Sequence, residues 1–257
     1  MIDWSAARIV TTSEFEVCWE LLGLDETPWQ LDPPRTGLTD DERAAAVASA
    51  LAELTARGLA DGRRPGPALE THLRRLARPH RSADVRWVAG SVAAAVAAVR
   101  GEQATVAVRH DREIALLDVP AADVADVLVD LPRAAGPGPG RDVRLPAGVL
   151  DAARRAAEPS THRFVEVLTA AGVSETRAAL LWGMCRDVRL RGQFGATHGT
   201  GDGTRTRRAP YVVGFHATGR GWFRQVRRRD GGAAAVTVGP AGRADLRRAV
   251  AELLSPV

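Results

Sequence analysis

Twice along this 257-residue chain the same order of segments recurs: helix-forming stretches, a group of alternating strands, a proline, and a closing helix. In the first copy, "TTSEFEVCWELLG" places Phe15, Cys18, Trp19 and Leu22 at spacings of three and four. Thr12 or Ser13 stands ready to cap it, and Gly23 stops it. In "LTDDERAAAVASALAELTARGL", Thr39 and Glu42 form a capping box, Asp40 and Asp41 suit a helix N-terminus, and Gly58 ends the segment. A third helix is expected over Pro67–Ala77, before Pro79. Between residues 84 and 119 the period drops to two, in "DVRWVAG", "ATVAVRH" and "EIALLDV". "SVAAAVAAV" lies among them with mixed propensities, alanine favouring helix and valine strand. A four-strand meander fits the connection lengths better than a helix wedged between strands. Pro120 then opens "AADVADVLVDL", which ends at Pro132.

The second copy has helices at about 146–157, 160–171 and 175–186. Strand-like "DVRLRGQFGAT", "APYVVGFHAT", "GWFRQVRR" and "AAAVTVG" follow, then Pro240 and the helix "GRADLRRAVAELL". It is longer mainly because "HGTGDGTRTRRA" inserts a polar loop. "RAAGPGPGRD" at 133–142 reads as a linker; its prolines lack the backbone donors a phosphate loop needs. The chain therefore reads as one α+β domain, residues 1–257, of two related halves, 1–132 and 143–257. These are duplicated units of helices plus antiparallel sheet, with either two sheets or one sheet joined across a pseudo-twofold axis.

All 35 basic residues are arginine, and they are unevenly spread. Residues 1–132 carry 14 arginines against 21 acidic residues, net −7, and residues 133–257 carry 21 against 10, net +11. That asymmetry permits an acidic partner or nucleic acid, and equally permits the halves to attract each other. Cys18 and Cys185 are too few and too far apart for a disulfide framework, which points to a reducing compartment. No basic-then-apolar leader opens the sequence, and "VAAAVAAV" is too short to span a bilayer. A soluble cytoplasmic protein without membrane insertion is expected.

Reactive groups are sparse. The six histidines, 72, 80, 110, 162, 198 and 216, show no zinc spacing, no serine sits in a Gly-x-Ser-x-Gly elbow, and a lysine-free chain has no Walker lysine. No catalytic residue, metal or cofactor is expected. "TGRGWFRQVRRRDGG" at 218–232 raises the alternative of an arginine-rich nucleic-acid-binding protein. As a strand, however, it divides Trp222, Arg224, Val226 and Arg228 from Phe223, Gln225, Arg227 and Arg229, so neither face is uniformly basic.

Taken in order, "SEFEVCWELLGLDETPWQL", "GLTDDERAAAVASALAELTARGL", "LRRLARP", "VRLRGQFGA", "TGRGW" and "VTVGPAGRADLRRAVAELL" resemble the EspG family. These are the ESX (type VII) secretion-associated proteins of actinobacteria. The resemblance spans nearly the whole chain and implies a central antiparallel sheet flanked by two helical bundles. It also implies a cytosolic chaperone, not an enzyme, that binds the apolar helical tip of the PPE protein in a PE–PPE heterodimer. Such a chaperone keeps its client soluble and delivers it to a secretion system. A homodimer and the client's identity are left open. The family's binding surface maps here to Leu181, Trp182, Gln193, Phe194, Arg220, Trp222 and Phe223. Leu181 and Trp182 suit a core better than a docking surface, and only one of Trp222 and Phe223 can face a partner.

Overall fold

A computed structural model describes residues 4–33, 35–157, 161–199, 206–230 and 233–255. The chain starts with β1 (Arg8–Thr11), α1 (Thr12–Leu21), α2 (Asp40–Ala56), the short strands β2 (Ala60–Asp61) and β3 (Arg64–Pro65), and α3 (Pro67–Ala77). β4 (Arg81–Ala89), β5 (Ser91–Arg100), β6 (Gln103–His110), β7 (Glu113–Pro120) and α4 (Val124–Asp130) complete the first half. The second half holds β8 (Val143–Pro146), α5 (Ala147–Ala156), α6 (Thr161–Ala170) and α7 (Glu175–Cys185). It continues with β9 (Leu190–Gly199), β10 (Thr206–Arg208), β11 (Val213–Thr218), β12 (Gly221–Asp230), β13 (Ala233–Pro240) and α8 (Arg243–Leu254).

Both strand groups belong to a single antiparallel sheet, ordered β1-β7-β6-β5-β4-β9-β11-β12-β13-β8, with β10 beside β9. The halves meet at the β4–β9 pair, where Val85 stands opposite Phe194. The ambiguous alanine segment is β5, a strand with both faces covered. Ala95, Ala97 and Val99 enter one core, while Val96 and Ala98 enter another. Its small side chains let α3 and α4 approach from opposite sides.

Alternation along the strands separates the two faces. On one face α4 and α8 pack over Val85, Phe194, Phe215 and Trp222. The other face carries two separate clusters. α1–α3 cover Val10, Val96, Ile114 and Leu116, and α5–α7 cover Val143, Phe223, Val236 and Val238. The charge asymmetry is partly absorbed where the halves meet. On α8, Arg243 Nε lies 2.6 Å from Asp130 and Arg247 Nε 2.6 Å from Asp126, both on α4.

Several expectations need correction. The cap of α1 is Thr11 rather than Thr12 or Ser13, because β1 runs straight into the helix. Thr11 Oγ1 accepts from the Glu14 amide, and Glu14 accepts from the Thr11 amide. The edge strands β1 and β8, four residues each, escape a periodicity reading because they are held by one neighbour only. The polar insertion contains β10; residues 200–205 of that loop and 231–232 of the expected hairpin lie outside the described residues.

The 133–142 segment is a docked strap, not a free tether. Gly138 N–H donates to the Trp222 carbonyl at 3.0 Å, and Trp222 N–H donates to the Gly136 carbonyl at 3.1 Å. A Cβ on Gly138 would lie 2.1 Å from the Phe223 ring, so only glycine admits this approach.

Candidate functional site

Because the bundles α1–α3 and α5–α7 sit toward opposite ends of one sheet face, the central strands between them form a trough. Arg86 of β4, Gln193 of β9, Gly214 of β11 and Gln225 of β12 stand in register across its floor. The α5–α7 bundle supplies a wall of Arg154, Ala157, Phe164, Trp182 and Cys185, and the cavity holds about 890 Å³. Trp182 is half-buried, its ring centroid 5.2 Å from that of Phe164. Val88 and Arg191, also opposite each other, extend the floor by one strand repeat.

The floor is polar for a local reason. Along "DVRWV" Val85 turns to the α8 core, whereas Asp84 and Arg86 turn to the trough face. Asp84 is 1% exposed and is neutralised by Arg208, whose Nη2 donates to Oδ1 at 2.9 Å. Arg208 lies over Gly195, where a Cβ would come within 2.0 Å of Nη2. The Arg208 guanidinium also sits 5.8 Å from the ring centre of Trp29, a 53%-exposed side chain in the α1–α2 loop. Arg109 steadies that loop by donating to the Leu31 and Asp32 carbonyls, each at 2.7 Å.

Ionisation within the site is quiet. His216 lies beneath α7, donates through Nε2 to the Met184 carbonyl at 2.7 Å and stacks on Phe223. Burial, reinforced by Arg154 and opposed by the Met184 hydrogen bond, lowers its pKa and keeps it neutral. Burial pushes the Cys185 thiol up to about 11, which withholds the thiolate a nucleophile would need. Among the described residues, no group of three or more histidine, cysteine or acidic side chains could hold a metal.

The structure separates the seven residues named from sequence. Trp182 and Gln193 meet in the trough. Arg220 is exposed at the β11–β12 turn, with Nη1 3.5 Å from the Gly183 carbonyl. The other four are core. Leu181, Phe194 and Phe223 are 0% exposed and Trp222 is 7% exposed. The expectation that one of Trp222 and Phe223 faces outward fails because both sheet faces are covered at this end of β12: Trp222 stacks on Phe215, and Phe223 packs under α7 and the strap.

Arg86, Arg191 and Trp29 were missed. The polar side of "DVRWV", a strand that proves central, was the available signal for Arg86; nothing local marked the other two. The arginine run also differs from a nucleic-acid patch. Arg224 pairs with Asp142 at 2.7 Å, Arg227 binds Asp151 through both Nη atoms, and Arg228 stacks on Tyr211, its guanidinium 4.4 Å from the ring centre.

A sequence model of the EspG family matches residues 11–252, nearly the full length. The chain belongs to the EspG family. No curated protein matches it by sequence. Among solved structures, this EspG chain is similar to the Mycobacterium tuberculosis type VII secretion system chaperone EspG5, determined in complex with a PE25–PPE41 dimer. The TM-score is 0.77 at 16% identity, covering 97% of this chain and 96% of that one. At that identity the likeness establishes a shared fold. No helix among the described residues of this EspG protein is long and apolar enough to cross a membrane.

Proposed function

We propose that this EspG-family chain is a cytosolic chaperone that binds the apolar helical tip of a PPE-type protein within a PE–PPE heterodimer. It keeps that client soluble and directs it to a type VII secretion system, acting by binding and not by catalysis. The observation that carries this reading is the family match over residues 11–252. The related fold of EspG5, solved with a PE25–PPE41 dimer, supports it. The trough has a shape and polarity suited to such docking. It is concave, apolar along one wall and polar along its floor, so a helix tip can leave water there without stranding its polar ends. Trp182 and Gln193 contact the client directly, with Arg220 at the rim. Leu181, Phe194, Trp222 and Phe223 shape the surface from below.

The 1–257 domain is built of two halves, 1–132 and 143–257, related by a pseudo-twofold axis between β4 and β9. Supporting this, the strands met outward from that pair are β5, β6, β7 and β1 on one side and β11, β12, β13 and β8 on the other. Each outermost strand precedes the first helix of its own half.

Co-expression with PE–PPE pairs encoded beside the chain tests the function. A soluble complex that survives gel filtration at physiological salt is expected. Failure to retain any such pair removes the reading.

A further inference from the structure

We infer that the trough selects clients whose apolar tip carries acidic side chains, and that Arg86 and Arg191 are the residues that bind those carboxylates. The inference rests on the docking role proposed above and specifies the chemistry of the partner. Among the described residues four arginines line the trough, Arg86, Arg154, Arg186 and Arg191, against a single acidic residue, Asp187. Two of the four are already engaged. Arg186 lies 3.7 Å from Asp187, and Arg154 donates to Gln225 at 3.2 Å. Asp84, two residues before Arg86 on β4, is held by Arg208.

The side chains of Arg86 and Arg191 are exposed and make no hydrogen bond or ion pair among the described residues. They are diagonal neighbours on one face of the central pair, since Arg86 stands opposite Gln193 and Arg191 opposite Val88. At that spacing both guanidinium groups reach the same docked tip. A purely apolar tip would seal two unpaired cations from water, which disfavours its binding. A carboxylate accepts the planar guanidinium fork through two parallel hydrogen bonds and removes that cost. Trp182 and Val188 on the adjoining wall provide apolar contact beside it. The occupant is therefore a helical protein tip with apolar residues toward α7 and at least one Asp or Glu toward β4 and β9.

The test measures binding of the co-purified PE–PPE pair to the wild-type chain and to the double variant Arg86→Glu/Arg191→Glu by titration calorimetry. Both side chains are exposed, so an unchanged melting midpoint is expected and is checked first. The double variant should bind at least about tenfold more weakly, because like charges then face each other. Replacing the facing client carboxylate with arginine should restore affinity to that variant, and raised salt should weaken the wild-type complex more than an Arg86→Gln/Arg191→Gln complex. A folded double Glu variant that holds the client as tightly as wild type overturns the inference while leaving the chaperone reading intact. A wild-type chain that holds no PE–PPE pair overturns both. Binding of a single-stranded oligonucleotide at physiological salt, lost in the double variant while client binding is unaffected, would assign the two arginines to nucleic acid instead.

Discussion

Arg208 reaches over β9 to hold the buried carboxylate of Asp84 with both Nη atoms of its guanidinium, joining residues 124 positions apart in the chain. The pair ties β10 to β4, and Trp29 closes over it from the α1–α2 loop. One contact thus connects three parts of the fold at one end of the trough.

Removing Arg208 leaves a buried, unpaired Asp84. Truncating one partner of a buried pair costs about 3–5 kcal/mol, and the 35% exposure of the Arg208 side chain lowers the expectation to about 2 kcal/mol. Arg208→Ala should lower the urea midpoint accordingly, and Arg208→Lys should recover only part because lysine lacks the two-pronged fork. Gly195→Ala should act in the same direction by pushing the guanidinium off the strand. A midpoint unchanged in Arg208→Ala would mean the ion pair adds nothing to stability.

Phe223 is a stability residue. Its ring is fully buried between α7 and Gly138 of the strap, so Phe223→Ala should destabilise the protein by about 3–5 kcal/mol through the cavity it leaves. Measured well below its melting midpoint, the variant should retain most of its affinity for client. A stable Phe223→Ala protein that has lost client binding would place this ring at the interface.

Trp182 and Arg228 should differ sharply in binding. Trp182→Ala removes the half-buried aromatic of the trough wall and should weaken client binding by about 2 kcal/mol or more, the range of an interface hot spot. Arg228 shares the opposite sheet face with Trp222, where it stacks on Tyr211 beside α8, so Arg228→Ala should change client affinity by well under about 1 kcal/mol. Calorimetry on both variants decides; a larger loss from Arg228→Ala would move the interface to the α8 face.

Stability should fall as the pH drops from about 7 toward 5, the range in which ordinary histidines take up protons. Burial lowers the pKa of both His72 and His216 from the usual 6.5; Arg8 and Arg75 add to the effect at His72 while Asp118 opposes it. A depressed histidine leaves the folded state with fewer protons than the unfolded state, so acid favours unfolding once the pH passes below the ordinary value. Asp126 and Asp151 lie outside this window. Arg247 and Arg243 outweigh burial at Asp126, and Arg227 leads at Asp151, so both pKa values are lowered. Their stabilising contributions are complete above the normal carboxylate pKa of 3.8 and disappear only as the pH falls through the depressed values. Chemical denaturation at both pH values should show a smaller difference in His216→Gln and His72→Gln, and an equal slope in both variants would show that other groups set it.

Elements whose causes lie within a few residues were legible in the sequence. The Thr39–Glu42 capping box starts α2 where expected, Gly58 takes a φ of +68° just beyond its end, and α3 occupies Pro67–Ala77. The meander of β4 to β7 follows from alternation and short turns. The division of β12 into two faces, Trp222 on one and Phe223 on the other, was readable too.

Only the tertiary structure decided which of those faces meets water. Alternation tells that neighbouring side chains point apart, but exposure depends on which distant segment lies over each face, and both faces are covered at Trp222 and Phe223. The joining of two strand groups at β4–β9, the seating of the 133–142 strap on Phe223 and the alignment of Arg86 with Gln193 likewise depend on contacts between remote segments. Caps and periods act over one or two turns of chain, whereas the trough arises from the gap left when two bundles settle at opposite ends of a shared sheet, a spacing set by the packing of both halves together.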